Sequence, residues 1–308
     1  MGTVKAATET KVIVNPVAGA NATYHRWPHI SSLLNHLGIS YDYQYTEGIG
    51  HGIELACQAA SDGYRRLVAV GGDGTVNEVV NGILAAGGNS PASLGVVNTG
   101  TGSDFVRMLG LPRHYSDGCR CLLSEKRRTI DVGVVQCHKD GRLVERAFVN
   151  AAGLGFDAEV AKDKQERPPR FRGTIPYVLG ILRTLTGYHN KQVTIEVDGR
   201  KEERRVLSVV AANGRFFGGG MKVAPYAELE DNLLDVLTVG DFGKTELLLT
   251  FPRIYRGTHI SHPKVSMEKA TNISVSSQEL FLVHADGEVI GEGPACFFPR
   301  SHALNVIV

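Results

Sequence analysis

Through the first 130 residues, short unbroken apolar runs alternate with longer stretches of helical period. Residues 12–14 (Val-Ile-Val), 67–70 (Leu-Val-Ala-Val) and 94–97 (Leu-Gly-Val-Val) are continuous, as strands buried on both faces of a parallel sheet are. Another strand is expected at 40–45. Ile30, Leu33, Leu34 and Leu37 fall at i, i+3, i+4, i+7 and mark one face of a helix, which Gly38 stops. Ile53, Ala56 and Ala60 begin a second helix. Val76, Val79, Val80 and Ile83 mark a third, running to about residue 86. Strands and helices in alternation build a parallel α/β sheet, which binds ligands beyond the carboxyl ends of its strands.

From Ile130 the period changes. Residues 132–137 and 143–151 flank Lys139-Asp140-Gly141, and 193–197 and 206–212 flank Asp198-Gly199. Asp-Gly between apolar runs is a hairpin signal. More strands are expected at 233–239, 272–276 and 280–284, with helices at 157–164, 176–185 and 244–250. The pattern therefore predicts α/β plus all-β, in two domains. Residues 1–130 form a parallel α/β domain and 131–308 a mainly antiparallel β-sandwich, its last strand a candidate to return to the first domain. No linker or repeat separates them, so the active site is expected in a cleft between the two.

Composition narrows the setting. Against 32 acidic residues stand 33 basic ones, a net charge of +1 that gives no reason to expect a nucleic-acid partner. Five cysteines without a C-x-x-C pair suit a reduced, cytoplasmic protein better than a disulfide framework or a zinc site. The first residues hold no sustained apolar run, and the most apolar helical stretch, 178–185, is broken by Arg183. Neither a secretory leader nor a membrane span is expected.

The richest stretch is Val70-Gly71-Gly72-Asp73-Gly74-Thr75-Val76-Asn77-Glu78-Val79-Val80-Asn81-Gly82, where a strand ends and a helix begins. A helix N-terminus offers free N–H groups and partial positive charge to a phosphate, and glycines let the backbone come close. The same letters would also serve a tight turn with Asp73 capping the helix. Two more loops, Asn15–Gly19 and Gly100–Asp104, follow the neighbouring strands and are equally rich in small or hydrogen-bonding residues. Three such loops at corresponding strand ends point to a phosphate-binding crevice.

The order Asn15-Pro16-x-x-Gly19, then Gly71-Gly72-Asp73-Gly74-Thr75 with Asn77-Glu78 and Asn81-Gly82, then Gly100-Thr101-Gly102-Ser103-Asp104-Phe105 resembles the diacylglycerol kinase catalytic-domain family. Bacterial lipid kinases and sphingosine kinases share these elements. The likeness continues in Gly218–Ala227, in Asp231-Asn232-Leu233-Leu234-Asp235 and in Asp286-Gly287-Glu288. The chain departs from the family pattern with Asn98 for a usual proline, Ser103 for a usual asparagine, Asn232 for a usual glycine and His51 where the bacterial members often hold an acid.

The resemblance implies an ATP- and Mg²⁺-dependent kinase of a lipid hydroxyl. Gly72, Asp73, Gly74, Thr75, Val76, Asn77 and Glu78 would form the main ATP contact, with Asp73 near Mg²⁺ and the phosphates. Asn15, Gly19, Thr46 and Thr101 would complete the nucleotide site, and Glu288 would act as the general base. A structural Mg²⁺ is implied at Asp231, with backbone carbonyls of Glu228 and Leu233. On spacing alone, Asp286-Gly287-Glu288 reads first as a simple hairpin turn, and only the resemblance reverses that order.

The partner implied is a lipid met peripherally at a membrane surface, with a homodimer expected only at family level. The arginine-rich Glu166–Arg172 and Arg215-Phe216-Phe217 are candidates for that contact, or simply solvated loops. Two other functions fit the letters: a kinase of a soluble hydroxyl compound, as in NAD kinases, and a nucleotide- or lipid-binding protein without catalysis. Retention of Asp73, Asp231 and Glu288 speaks against the last.

Overall fold

The computed structural model describes residues 8–87, 92–167 and 174–308. The chain divides into two compact units, 1–130 with 302–308, and 131–301.

The first unit runs β1 (Thr10–Val14), α1 (Ala18–His36), β2 (Asp42–Tyr45), α2 (His51–Ser61), β3 (Arg66–Gly71), α3 (Asp73–Ala85), β4 (Ser93–Asn98), α4 (Asp104–Leu109) and α5 (Tyr115–Cys121). Its strands pair in parallel in the order β4–β3–β1–β2. β4 is buried along its whole length and β3 nearly so, whereas edge strand β2 is exposed throughout. Trp27, Ile30 and Leu34 of α1 pack on Val12, Val14, Val68 and Val70. Helices α2 and α3 meet at Gly82, where an added Cβ would stand 2.4 Å from both Ala56 Cβ and Ile53 O. Only glycine allows that approach.

The second unit contains β5 (Arg127–Lys139, beginning just before the boundary), β6 (Arg142–Phe148), β7 (Ala151–Gly155), α6 (Phe156–Glu166), α7 (Thr174–Gly187), β8 (Lys191–Val197), β9 (Arg200–Val206), β10 (Ser208–Ala212), β11 (Leu234–Val239), α8 (Lys244–Thr250), β12 (Val265–Ala270), β13 (Ile273–Ser276), β14 (Leu282–Ala285) and β15 (Glu288–Ile307). Two 3₁₀ turns, Phe251–Arg256 and Thr258–Ser261, follow α8. It is a β-sandwich. One antiparallel layer runs β12–β11–β10–β7–β14–β15, and β9–β8–β13 joins it through β15. The twenty residues of β15 let it pair with β14 early and with β13 later. Its final residues belong to the first unit, where Asn305 and Val306 pair in parallel with Ser93 and Leu94 of β4.

Val209 and Ala211 point into the sandwich core, while Val210 and Ala212 point into a second core on the other face. β10 is thus covered on both sides, which is why an antiparallel strand reads as a continuous apolar run. The expected strand 206–212 in fact divides at Leu207, whose N–H donates to Val239 O at 2.8 Å. The hairpin partner of β8 across Asp198-Gly199 is the charged, largely exposed β9.

Candidate active site

In the first unit β1, β3 and β4 run in parallel, so the loops after them gather at one edge of the sheet. Thr99 N–H and Gly100 N–H both donate to Gly71 O, at 2.8 and 3.1 Å. The loops are stacked backbone on backbone: a Cβ added at Gly100 would stand 2.4 Å from Gly72 Cα. Asn15 Nδ2 donates to Thr75 Oγ1 at 3.0 Å, tying the first loop to the second. Gly19, with φ +62°, fits under Thr99, its would-be Cβ 2.5 Å from Thr99 O. Thr46, at the end of β2, donates its N–H to Val14 O at 2.9 Å.

Asp73 is the first residue of α3, but its carboxylate does not cap that helix. Asp73 Oδ1 accepts the Phe105 N–H at 3.1 Å, in the first turn of α4. Gly74 and Thr101 are exposed and Gly72, Asp73 and Gly102 half-buried, so glycine backbone, the start of α3 and one carboxylate are presented together. A single carboxylate beside amides that can hold phosphate suits a Mg²⁺ ion that keeps water and phosphate oxygens as its other ligands. The rest of the motif turns inward. Val76 and Asn77 are buried, and Glu78 accepts the N–H groups of Gly50 (2.8 Å) and Gly52 (3.0 Å), holding the start of α2.

Two of the departures from the family pattern, Asn98 and Ser103, touch one another. Asn98 Nδ2 donates to Ser103 Oγ at 2.7 Å and to Arg113 O at 3.1 Å, both side chains being buried. Ser103 sits at φ +57°, a left-handed position that asparagine also tolerates.

In the second unit Asp286 and Gly287, at φ +47° and +81°, form the two-residue turn between β14 and β15. Asp286 does more than turn the chain. Its Oδ2 accepts the Val149 N–H at 2.9 Å, and its Oδ1 accepts those of Asn150 and Ala151 at 2.9 and 3.0 Å. Glu288 pairs with Arg146 at 2.7 Å. Behind the turn lies wholly buried His284, stacked on Phe217 with ring centroids 5.1 Å apart. His284 Nδ1 accepts the Gly287 N–H at 3.3 Å, so Nε2 carries the proton shared with Asp157 Oδ2 at 2.7 Å.

Asp157 and Phe217 also line a cavity of about 120 Å³ on the outer face of the first β layer. Its walls are almost wholly apolar, among them Phe156, Val160, Ile181, Leu237, Phe242 and Phe251. Phe217, a candidate for membrane contact by sequence, is part of this wall. Residues 168–172 of the arginine-rich stretch lie outside the described residues.

At the implied structural metal position, Asp231 Oδ2 is held by Lys269 Nζ at 2.5 Å and Oδ1 by the Leu233 N–H at 3.1 Å. Asn232, at φ +57°, makes the turn. Burial, reinforced by the charges of Asp231 and Glu228, pushes the Asp235 carboxyl up to about 6, against the pull of Lys269. Lysine already supplies positive charge among these acids. Among the described residues, no group of three or more His, Cys, Asp or Glu side chains is placed to hold a metal ion.

Comparison with known proteins agrees with both halves. Residues 9–135 match the diacylglycerol kinase catalytic domain, and residues 150–308 match the YegS C-terminal NAD kinase beta sandwich-like domain. A diacylglycerol kinase of Staphylococcus haemolyticus is 30% identical over 296 residues, covering 96% of this chain and 87% of the relative. The chain belongs to the diacylglycerol kinase family. Another diacylglycerol kinase, from Bacillus subtilis, is 28% identical over 97% of this chain and 95% of its own. Among solved structures, a candidate diacylglycerol kinase from Bacillus anthracis superposes with a TM-score of 0.76 at 25% identity, covering 97% and 96% of the two chains. A yeast NADH kinase shares the fold at a TM-score of 0.55 and 11% identity, over 97% of this chain and 82% of its own. Membership makes this family protein a kinase.

Four residues near the candidate site had no assigned role in the sequence: Arg146, Asp157, His259 and His284. Only His284 left a trace there, as an imidazole closing an otherwise apolar run.

Proposed function

We propose that the protein is an ATP- and Mg²⁺-dependent lipid kinase that transfers the γ-phosphate to a lipid hydroxyl. The observation that carries the lipid part is the apolar cavity, joined through Phe217 and His284 to the turn that bears Glu288. Walls with so little polar surface suit a ligand that is aliphatic along its length.

In this reading the stacked glycine loops and the start of α3 receive the phosphates, and Asp73 faces them with a carboxylate. Mg²⁺ bound there would neutralise charge on the phosphate oxygens. Glu288, oriented by Arg146, takes the hydroxyl proton as the lipid oxygen bonds to the γ-phosphorus and the bond to ADP breaks. Among the described residues no helix is long and apolar enough to cross a membrane, so the lipid would be met peripherally. The test is transfer of labelled γ-phosphate from ATP into a total lipid extract, comparing wild type with Asp73→Asn and Glu288→Gln. A labelled lipid that disappears in both variants supports the reading. Label entering only a water-soluble acceptor overturns it.

A further inference from the structure

Two side chains lining the apolar cavity hold buried atoms without a hydrogen-bond partner, Asp157 Oδ1 and His259 Nδ1. Both are acceptors. Asp157 spends its other oxygen on His284, which donates from Nε2. His259, 5% exposed, donates from Nε2 to Val223 O at 3.1 Å, since a carbonyl can only accept. That leaves the lone pair on Nδ1, and burial holds the ring below its ordinary pKa. Leaving a buried acceptor unpaired is costly, and a carboxylate oxygen most of all. Ser208, also in the lining, accepts the Asp157 N–H at 3.3 Å and keeps its own O–H proton, but among the described residues no donor is within hydrogen-bond reach of Asp157 Oδ1. Acceptors in an apolar chamber are complementary to a ligand that is aliphatic along its length and carries a donor.

We propose that this cavity binds a long-chain amphiphile whose head region brings a hydroxyl or ammonium donor to Asp157 Oδ1, in addition to the hydroxyl that is phosphorylated. Treating that amphiphile as the substrate rests on the lipid-kinase reading. A head group with only ester carbonyls beside the reacting hydroxyl would set acceptor against acceptor. Monoacylglycerols and long-chain amino alcohols meet the requirement, and fully acylated glycerols with one hydroxyl do not.

The decisive pair is a 1-monoacylglycerol and its 2-deoxy analogue, which share the chain and the reacting hydroxyl. Equilibrium binding to the full-length protein and phosphoryl transfer from ATP would be measured for each. A hydrogen bond to a buried charged group predicts binding of the 2-hydroxy compound about 10- to 100-fold tighter in wild type. Asp157→Asn should shrink that ratio several-fold, raising KM more for the monoacylglycerol than for the deoxy analogue. Equal binding of the pair by wild type overturns the proposal, and needs no variant to fold. Loss of kcat on both compounds alike in a folded Asp157→Asn also overturns it, by placing Asp157 on the reacting hydroxyl. Discriminating binding without transfer would defeat the kinase reading and leave the site standing, whereas transfer without discrimination would do the reverse.

Discussion

The dipeptide Asp-Gly occurs in both units, at Asp73-Gly74 and at Asp286-Gly287, and the two copies do different work. Asp286 accepts three backbone N–H groups, from Val149, Asn150 and Ala151, in a turn where both residues have positive φ. Asp73 stands at a helix start and accepts one, from Phe105. One carboxylate is consumed in holding the chain, while the other keeps capacity for a ligand. The proposed function places its chemistry on the aspartate with fewer protein partners, although the letters around the two are alike.

Replacing each should separate the roles. Asp73→Asn keeps an oxygen for the Phe105 N–H, so a near-normal melting temperature is expected alongside a kcat about 10²–10³-fold lower. Asp286→Ala is expected to cost about 3 kcal/mol in urea unfolding, from three orphaned N–H donors. If Asp286→Ala proved silent in stability, the contrast would collapse. Gly100→Ala forces a methyl toward Gly72 Cα and should cost about 2 kcal/mol, with weaker nucleotide binding by calorimetry. The finest test is a double-mutant cycle on Asn98→Ala and Ser103→Ala, expected to give a coupling of about 1 kcal/mol. Zero coupling would mean that these two departures from the family pattern are independent after all.

Strands buried on both faces announced themselves. Val12–Val14 and the apolar run before Gly71 are continuous because helices cover each side of the parallel sheet, and that continuity is a local property of the chain. β9 did not announce itself: Arg-Lys-Glu-Glu-Arg-Arg faces water at an edge and pairs only with β8, so nothing apolar marks it. The 3₁₀ turns after α8 were likewise unmarked. At the candidate site, the glycine loops were legible because close backbone approach demands a rare residue type. Glu78 shows the limit of that reading, for a motif residue is also what fastens α2 to α3. The unpaired acceptors of Asp157 and His259 could not be read at all, since they arise from contacts between segments far apart in the chain.

β15 ends by pairing Asn305 with Ser93, more than two hundred residues back. During synthesis the flank of β4 must therefore wait for its neighbour, by about 10–40 s at ordinary ribosomal speeds. Until then the first unit presents an unpaired, hydrophobic sheet edge, a template for the wrong partner. That interval, before the final strand arrives, is when a nascent chain of this protein is expected to be most open to mispairing.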